Sequence, residues 1–361
     1  MKATKRLHDA GQSIWLDNIT RGLLTSGTLR RYIKELSVTG LTSNPAIFDK
    51  AITNTSDYDA AILEKIGEGK AGEELFFELA LEDLRAAADH FREIHEWTGG
   101  VDGWVSLEVS PLLAYDPEST IAAAKDLFGR AERKNLFIKI PGTPEGLAAI
   151  EEAIFSGVPI NVTLLFSREH YLAQAEAYVR GIERRVEAGL DPAVGSVGSV
   201  FVSRWDGAIK DKVPAELENR LGVAACTRIY KAYRDLYNSD RWLRLANEGA
   251  RPQRLLFAST STKDPSLPDT LYVTALAAPY TVDTIPEATL LAFGDHGEVD
   301  GLLPADGGEA ETTLAAFERA GVDLDALAAK LQFDGAESFD VAWNELLDCI
   351  ERKSNALMAV R

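Results

Sequence analysis

Cysteine is scarce in this sequence: Cys226 and Cys349 are the two in 361 residues, and they form no C-x-x-C pair. A disulfide framework and a cysteine-rich zinc site are therefore not expected, whereas two buried free thiols in a reducing compartment are. Positive charge is also short. The 38 Lys and Arg residues stand against 56 Asp and Glu, a net charge of −18, which argues against general affinity for nucleic acid or anionic membranes. If the substrate is an anion, its attraction must come from a confined set of basic side chains, hydroxyls or backbone N–H groups. No apolar run approaches the roughly 18 residues that span a bilayer. The basic start, Met1 to Arg6, is not followed by the apolar core of a secretory signal, so a soluble cytoplasmic chain is expected. Signatures of nucleotide hydrolysis (G-x-x-x-x-G-K-[ST]), dinucleotide redox (G-x-G-x-x-G after a strand) and zinc proteolysis (H-E-x-x-H) are missing. The five histidines offer no obvious metal pair; His90 and His95 share a helical pattern but point at different angles around it. Neither a metal nor a cofactor is expected.

What is present is alternation of strand-like and helix-like segments. Short β-like runs occur at Ser13–Asp17, Val38–Leu41, Gly103–Glu108, Asn135–Ile140, Val158–Thr163, Ser196–Phe201, Arg254–Ser259 and, least clearly, Thr270–Leu276. Between them, Glu74–Trp97, Glu118–Lys134, Arg168–Glu187 and Cys226–Asn247 carry apolar residues near helical period, as crossover helices must. Tyr58–Ile66 and Ala310–Ala320 read as additional helices. Eight strands suggest a closed (β/α)8 barrel in a single domain, residues 1–361, elaborated beyond the roughly 250 residues typical of that fold. A doubly wound open sheet is the alternative, because alternation alone does not show closure. A terminal helix at about 338–358 is expected to pack on the barrel, and Gly294–Gly308 reads as an exposed connection.

Side chains alternate faces along a strand, so parity sorts them. Leu136, Ile138 and Ile140 share the face suited to helix packing; Phe137 and Lys139 share the other. Lys139 then points into the barrel near a strand's carboxyl end, where burial favours a free amine over an ammonium. The same test places Asp17 with Trp15, Glu108 with Ser106 and Trp104, and Asn161 with Thr163, each set opposite aliphatic residues. Barrel enzymes assemble their sites at that end of the strands. Singly, each has an ordinary explanation: a lysine that snorkels to solvent, Asp17 as a cap, Asn44 before Pro45 as a turn. Together, a lysine, two carboxylates, an amide and hydroxyls on one rim point to a site, because unpaired buried polar groups are costly.

Five segments resemble the signatures of the transaldolase family, particularly its longer branch: Asp17-Asn18-Ile19, Thr39 to Phe48 (T-G-L-T-S-N-P-A-I-F), Leu107 to Pro111, Ile138 to Thr143 (I-K-I-P-G-T) and Asn161 to Leu164. Order and spacing fit from about Ser13 to Leu290. The resemblance implies a metal-free (β/α)8 transferase in which Lys139 forms a Schiff base. It implies that Asp17 handles the hydroxyl proton in carbon–carbon cleavage, that Glu108 acts as acid/base through a water, and that Thr163 helps hold that water. Asn44 and Asn161 would bind a dihydroxyacetone unit passing from sedoheptulose 7-phosphate to glyceraldehyde 3-phosphate, a step of the nonoxidative pentose phosphate pathway. Ser199 would line the site and Arg204 bind phosphate. Ser259 matches the family's serine, but Ser261 stands where many members have arginine, and Lys263 is the nearby candidate to supply the charge. Phe201, without a hydroxyl, favours transfer over the aldolase activity of fructose-6-phosphate-type relatives, the nearest rival; a noncatalytic scaffold is the remote one. Sugar phosphates are the expected partners, and a homodimer is one assembly open to the chain, whose oligomeric state the sequence does not fix.

Overall fold

The computed structural model describes residues 1–359. Eight parallel strands close on themselves in chain order: β1 (Ser13–Asp17), β2 (Val38–Thr42), β3 (Val105–Glu108), β4 (Leu136–Pro141), β5 (Ile160–Leu165), β6 (Ser196–Phe201), β7 (Arg254–Ala258) and β8 (Val282–Pro286). Pairing of β1 with β8, from Ser13 opposite Val282 to Asp17 opposite Pro286, makes this a barrel and excludes the open sheet.

Strand parity divides the apolar residues into two bodies. Ile14, Leu16, Val105, Leu107, Leu136, Ile138, Ile140, Ile160 and Val162 face outward into one core shared with the surrounding helices. Trp15, Trp104, Phe137, Val197, Leu256 and Val282 face inward and fill the barrel axis. The indole rings need room that β2 supplies. A Cβ on Gly40 would lie 2.6 Å from the Trp104 carbonyl oxygen and 2.7 Å from Trp15 Nε1, so a larger residue would displace Trp15 from its hydrogen bond to Asp102 (2.8 Å).

The first seven strand expectations are met in place, and the eighth is not. Thr270–Leu276 holds a short helix, Leu271–Ala275, and the eighth strand is Val282–Pro286. The helix buries Tyr272 and Val273, with the Tyr272 hydroxyl donating to Asp206 at 3.0 Å. The true strand hides its alternation because its outward face carries Asp283, fully buried against Thr260 (3.0 Å), rather than an aliphatic residue. The segment expected as one helix over Cys226–Asn247 is two, Leu221–Tyr237 and Asp240–Asn247. Ser239 caps the second by accepting from the Trp242 N–H.

The C-terminal helix begins at Leu324, well before Ser338, and continues to Ala359. Its first half is concealed in the sequence by Gly335, a poor helix residue. Contact explains the glycine: a Cβ there would come within 2.8 Å of Leu164 Cδ2. The helix lies against β5 and the helices Pro45–Asn54, Asp59–Gly67 and Gly72–Trp97. It is held from below by Gln332, whose buried amide donates to the carbonyls of Gly142 and Leu164 at 2.9 Å each.

Candidate active site

At the carboxyl end of the strands, Glu108, Lys139 and Asn161 stand side by side in register on β3, β4 and β5. Lys139 is 7% exposed, and its Nζ donates to Glu108 Oε2 at 2.9 Å. It does not snorkel to solvent. Burial pushes the Glu108 carboxyl above the ordinary carboxylate range; the Lys139 charge pulls it back, and Asp17 adds a smaller upward push. Glu108 Oε1 is buried without a protein partner, and so is the hydroxyl of Thr163. A carboxyl in direct hydrogen-bond contact with an amine is placed to exchange a proton with it.

Asp17 approaches from β1. Its carboxyl is also raised, by burial first, with a hydrogen bond from Thr42 and the charge of Lys139 opposing. The Thr42 hydroxyl donates to Asp17 Oδ1 at 2.8 Å and lies 2.6 Å from the hydroxyl of Thr284. With its proton committed to Asp17, Thr42 accepts from Thr284, giving a chain that runs Thr284 to Thr42 to Asp17. Asn161 is fixed at both ends of its amide: Ser199 donates to Oδ1 at 2.6 Å, and Nδ2 donates to Ser106 at 3.1 Å. Asn44 caps the helix Pro45–Asn54 through Oδ1, which accepts from the Ile47 N–H at 3.1 Å. Its NH2 group is left for the cavity. The turn reading and the site reading of Asn44 are thus compatible.

These groups border a cavity of about 240 Å³ lined by Asp17, Asn44, Lys139, Asn161, Thr163, Ser199, Phe201, Arg204, Ser259, Ser261 and Lys263, among others. Glu108 is set just behind its wall, on Lys139. Three cations, Lys139, Arg204 and Lys263, line the cavity against the single carboxylate Asp17, so the local field is positive in a chain of net charge −18. Arg204 makes no ion pair among the described residues. Its guanidinium is held below its ordinary range by burial and sits 5.4 Å from the Phe201 ring centroid. A desolvated, unpaired guanidinium is a demand for an anion. Ser259 has a left-handed backbone (φ 59°), which turns its hydroxyl to within 2.9 Å of Ser203 Oγ.

Thr42, Thr284 and Phe339 also line the cavity, and sequence reasoning did not single them out. Thr42 shares the inward face of β2 and was readable by parity. Thr284 was lost with the eighth strand. Phe339, whose ring centroid is 5.2 Å from Lys139 Nζ, comes from the C-terminal helix, and where a helix lands is not written in its own periodicity. His95 packs edge-on against Trp104, with Nδ1 3.0 Å from the Asp102 carbonyl; His90 instead neighbours Arg30. Among the described residues no group of three or more His, Cys, Asp or Glu side chains is placed to hold a metal ion.

The sequence model of the Transaldolase/Fructose-6-phosphate aldolase family matches residues 14–350. The transaldolase of Arthrobacter sp. strain FB24 is 44% identical over 357 residues, 96% of each chain. That of Saccharopolyspora erythraea is 44% identical over 354 residues, again 96% of each, and transaldolase 2 of Streptomyces coelicolor is 43% identical over 364 residues, 98% of each. Identity at that level along the whole barrel reflects common descent rather than convergence on a shared scaffold, and the chain belongs to the transaldolase/fructose-6-phosphate aldolase family.

Proposed function

We propose that this chain is a transaldolase that moves a dihydroxyacetone unit from sedoheptulose 7-phosphate to glyceraldehyde 3-phosphate through a Schiff base on Lys139. The observation that carries the reading is the buried Lys139–Glu108 pair at 2.9 Å in a cavity that also holds the unpaired Arg204. Glu108 takes a proton from Lys139, and the freed amine adds to the ketose carbonyl. Glu108 returns a proton to the departing hydroxyl, water leaves, and a protonated imine remains. Asp17 then removes the proton from the hydroxyl beside the scissile bond. The carbon–carbon bond breaks, erythrose 4-phosphate departs, and the electron pair enters the imine to give an enamine. The acceptor aldehyde is attacked by that enamine, and its oxygen collects the proton held by Asp17. Hydrolysis of the new imine yields fructose 6-phosphate and restores the amine.

Separate environments suit the two carboxyls to separate tasks. Glu108 exchanges protons with the amine it touches, and its free Oε1, with the Thr163 hydroxyl, offers hydrogen bonds to the water that enters and leaves. Asp17 is oriented by Thr42. Asn161 and Asn44 supply amide donors that keep the three-carbon fragment in place between the two half-reactions. Arg204, with Ser259, Ser261 and Lys263, is the phosphate end; Ser261, at the place of the missing arginine, and Lys263 nearby both line the cavity, and Lys263 supplies the charge. No helix among the described residues is long and apolar enough to cross a membrane; the buried thiols of Cys226 and Cys349 are free, which supports action in a reducing compartment such as the cytoplasm.

Incubation with fructose 6-phosphate and borohydride, followed by peptide mass analysis, is expected to place a reduced three-carbon or six-carbon adduct on Lys139. An adduct confined to other lysines, or none, would overturn the proposal. The aldolase alternative differs only in the fate of the enamine. With phenylalanine at 201, 7% exposed, no hydroxyl at that position orients a water toward the enamine carbon.

A further inference from the structure

A side chain outside the barrel borders the reacting amine. Phe339 lies seven positions after Gln332 and four after Gly335 in the helix Leu324–Ala359, so all three share one helix face. Gln332 binds the Gly142 and Leu164 carbonyls, and Gly335 allows the helix to rest on Leu164. Gly142 directly follows β4 and Leu164 lies in β5, the strands of Lys139 and Thr163. The helix is thereby fixed to the two strands whose side chains do the chemistry, and it delivers a phenyl ring 5.2 Å from Lys139 Nζ. The same ring is 6.5 Å from that of Phe201, which is 5.5 Å from Phe166. An apolar wall thus runs from the roof of the cavity to its side.

We propose that Phe339 is a specificity-determining residue: it sets whether the enamine on Lys139 is transferred to an aldehyde or released as free dihydroxyacetone. This rests on the Schiff-base reading above. The enamine carbon has two fates. It attacks an aldehyde carbon, the new bond forming as the aldehyde oxygen gains a proton. Alternatively, it takes a proton supplied through water; a second water then adds to the imine carbon, the carbon–nitrogen bond breaks, dihydroxyacetone leaves and the amine returns to Lys139. The second route alone needs a proton relayed to carbon while no acceptor is bound. A phenyl ring offers no hydroxyl for that relay and occupies the space a water would use, and its face tolerates the cationic imine that must form first.

The test measures one ratio: dihydroxyacetone released from fructose 6-phosphate without acceptor, divided by transfer to glyceraldehyde 3-phosphate. Both rates come from the same intermediate, so a loss of folded protein cancels. Phe339→Ala and the bulk-preserving polar variant Phe339→Gln are each expected to raise the ratio at least about tenfold, and Phe339→Leu, apolar and dry, to stay within about threefold of the parent. Ratios unchanged in the Ala and Gln variants, with the Lys139 borohydride adduct still forming, would overturn the role of Phe339 and leave the Schiff base standing. Absence of the adduct in the parent protein would overturn both.

Discussion

At the amino end of the strands the barrel interior holds Trp15, Trp104 and Phe137; two or four residues further along the same inward faces it holds Asp17, Ser106, Glu108 and Lys139. The lower end is finished. Trp104 stacks on Phe137 with ring centroids 4.0 Å apart, and the carboxylate of Asp102 is saturated, accepting from Ser13, from Trp15 Nε1 and from the Gly103 N–H. The upper end is not. Glu108, as deeply buried as Asp102, has one protein partner for two oxygens. Two carboxylates enclosed to the same degree in one barrel therefore differ in whether the protein itself completes their hydrogen bonding. Saturation holds a fold in place; an incomplete set stores binding capacity for something that comes and goes.

The sharpest way to break this contrast is to remove the upper amine. Lys139→Met keeps much of the side-chain volume but leaves Glu108 buried without its cation, and it takes away the proposed nucleophile. Transfer is expected to fall by at least about 10⁴-fold, with loss of the borohydride adduct. A variant retaining a tenth of the parent rate would mean that Lys139 is an ordinary buried ion-pair member. Removing a lower-end side chain should do the reverse. Trp104→Ala is expected to cost about 3–5 kcal/mol in denaturant unfolding, while the turnover of the folded fraction, counted by borohydride labelling, changes by less than about threefold. If turnover collapses with stability, the aromatic layer is part of the machinery and the two ends are not separable.

The contrast was legible in the sequence wherever period two applied. Parity alone put Asp17, Glu108, Lys139, Asn161 and Thr163 on one face, because a strand has only two, and the flanking aliphatics showed which face the helices cover. It failed at β8, where Asp283 takes an outward position normally held by an aliphatic residue and so erased the pattern. The Leu271–Ala275 helix, with a strand-like composition, took its place in the reading. It failed again at Phe339, for a different reason. Gly335 interrupts the helical signal for a contact with Leu164 that belongs to tertiary structure, and the position of the ring over Lys139 depends on where Gln332 finds its carbonyls. Strand residues are placed by local geometry, whereas a roof is placed by packing between elements far apart in the chain.

The smallest expected effect probes the upper end without touching a reacting group. Thr42 donates to Asp17, and that bond pulls the Asp17 carboxyl downward against the push of burial. Thr42→Val removes the donor at similar volume, so the carboxyl should rise further and hold its proton to higher pH. In the proposed mechanism Asp17 acts as a base in the cleavage half-reaction, which requires its ionised form. The acidic limb of the kcat profile should therefore shift to higher pH, by roughly half a unit to one unit, with a plateau rate within about tenfold of the parent. In stability the sign follows from the same raised carboxyl. A folded-state value above the unfolded one stabilises the protein at pH below the unfolded value, and that contribution is lost as pH rises through the folded value. Thr42→Val should widen that window and make the variant's stability fall more steeply toward neutral pH. An acidic limb that stays where it was, measured with the same substrate, would mean that Thr42 supports the wall of the cavity and does not tune the base.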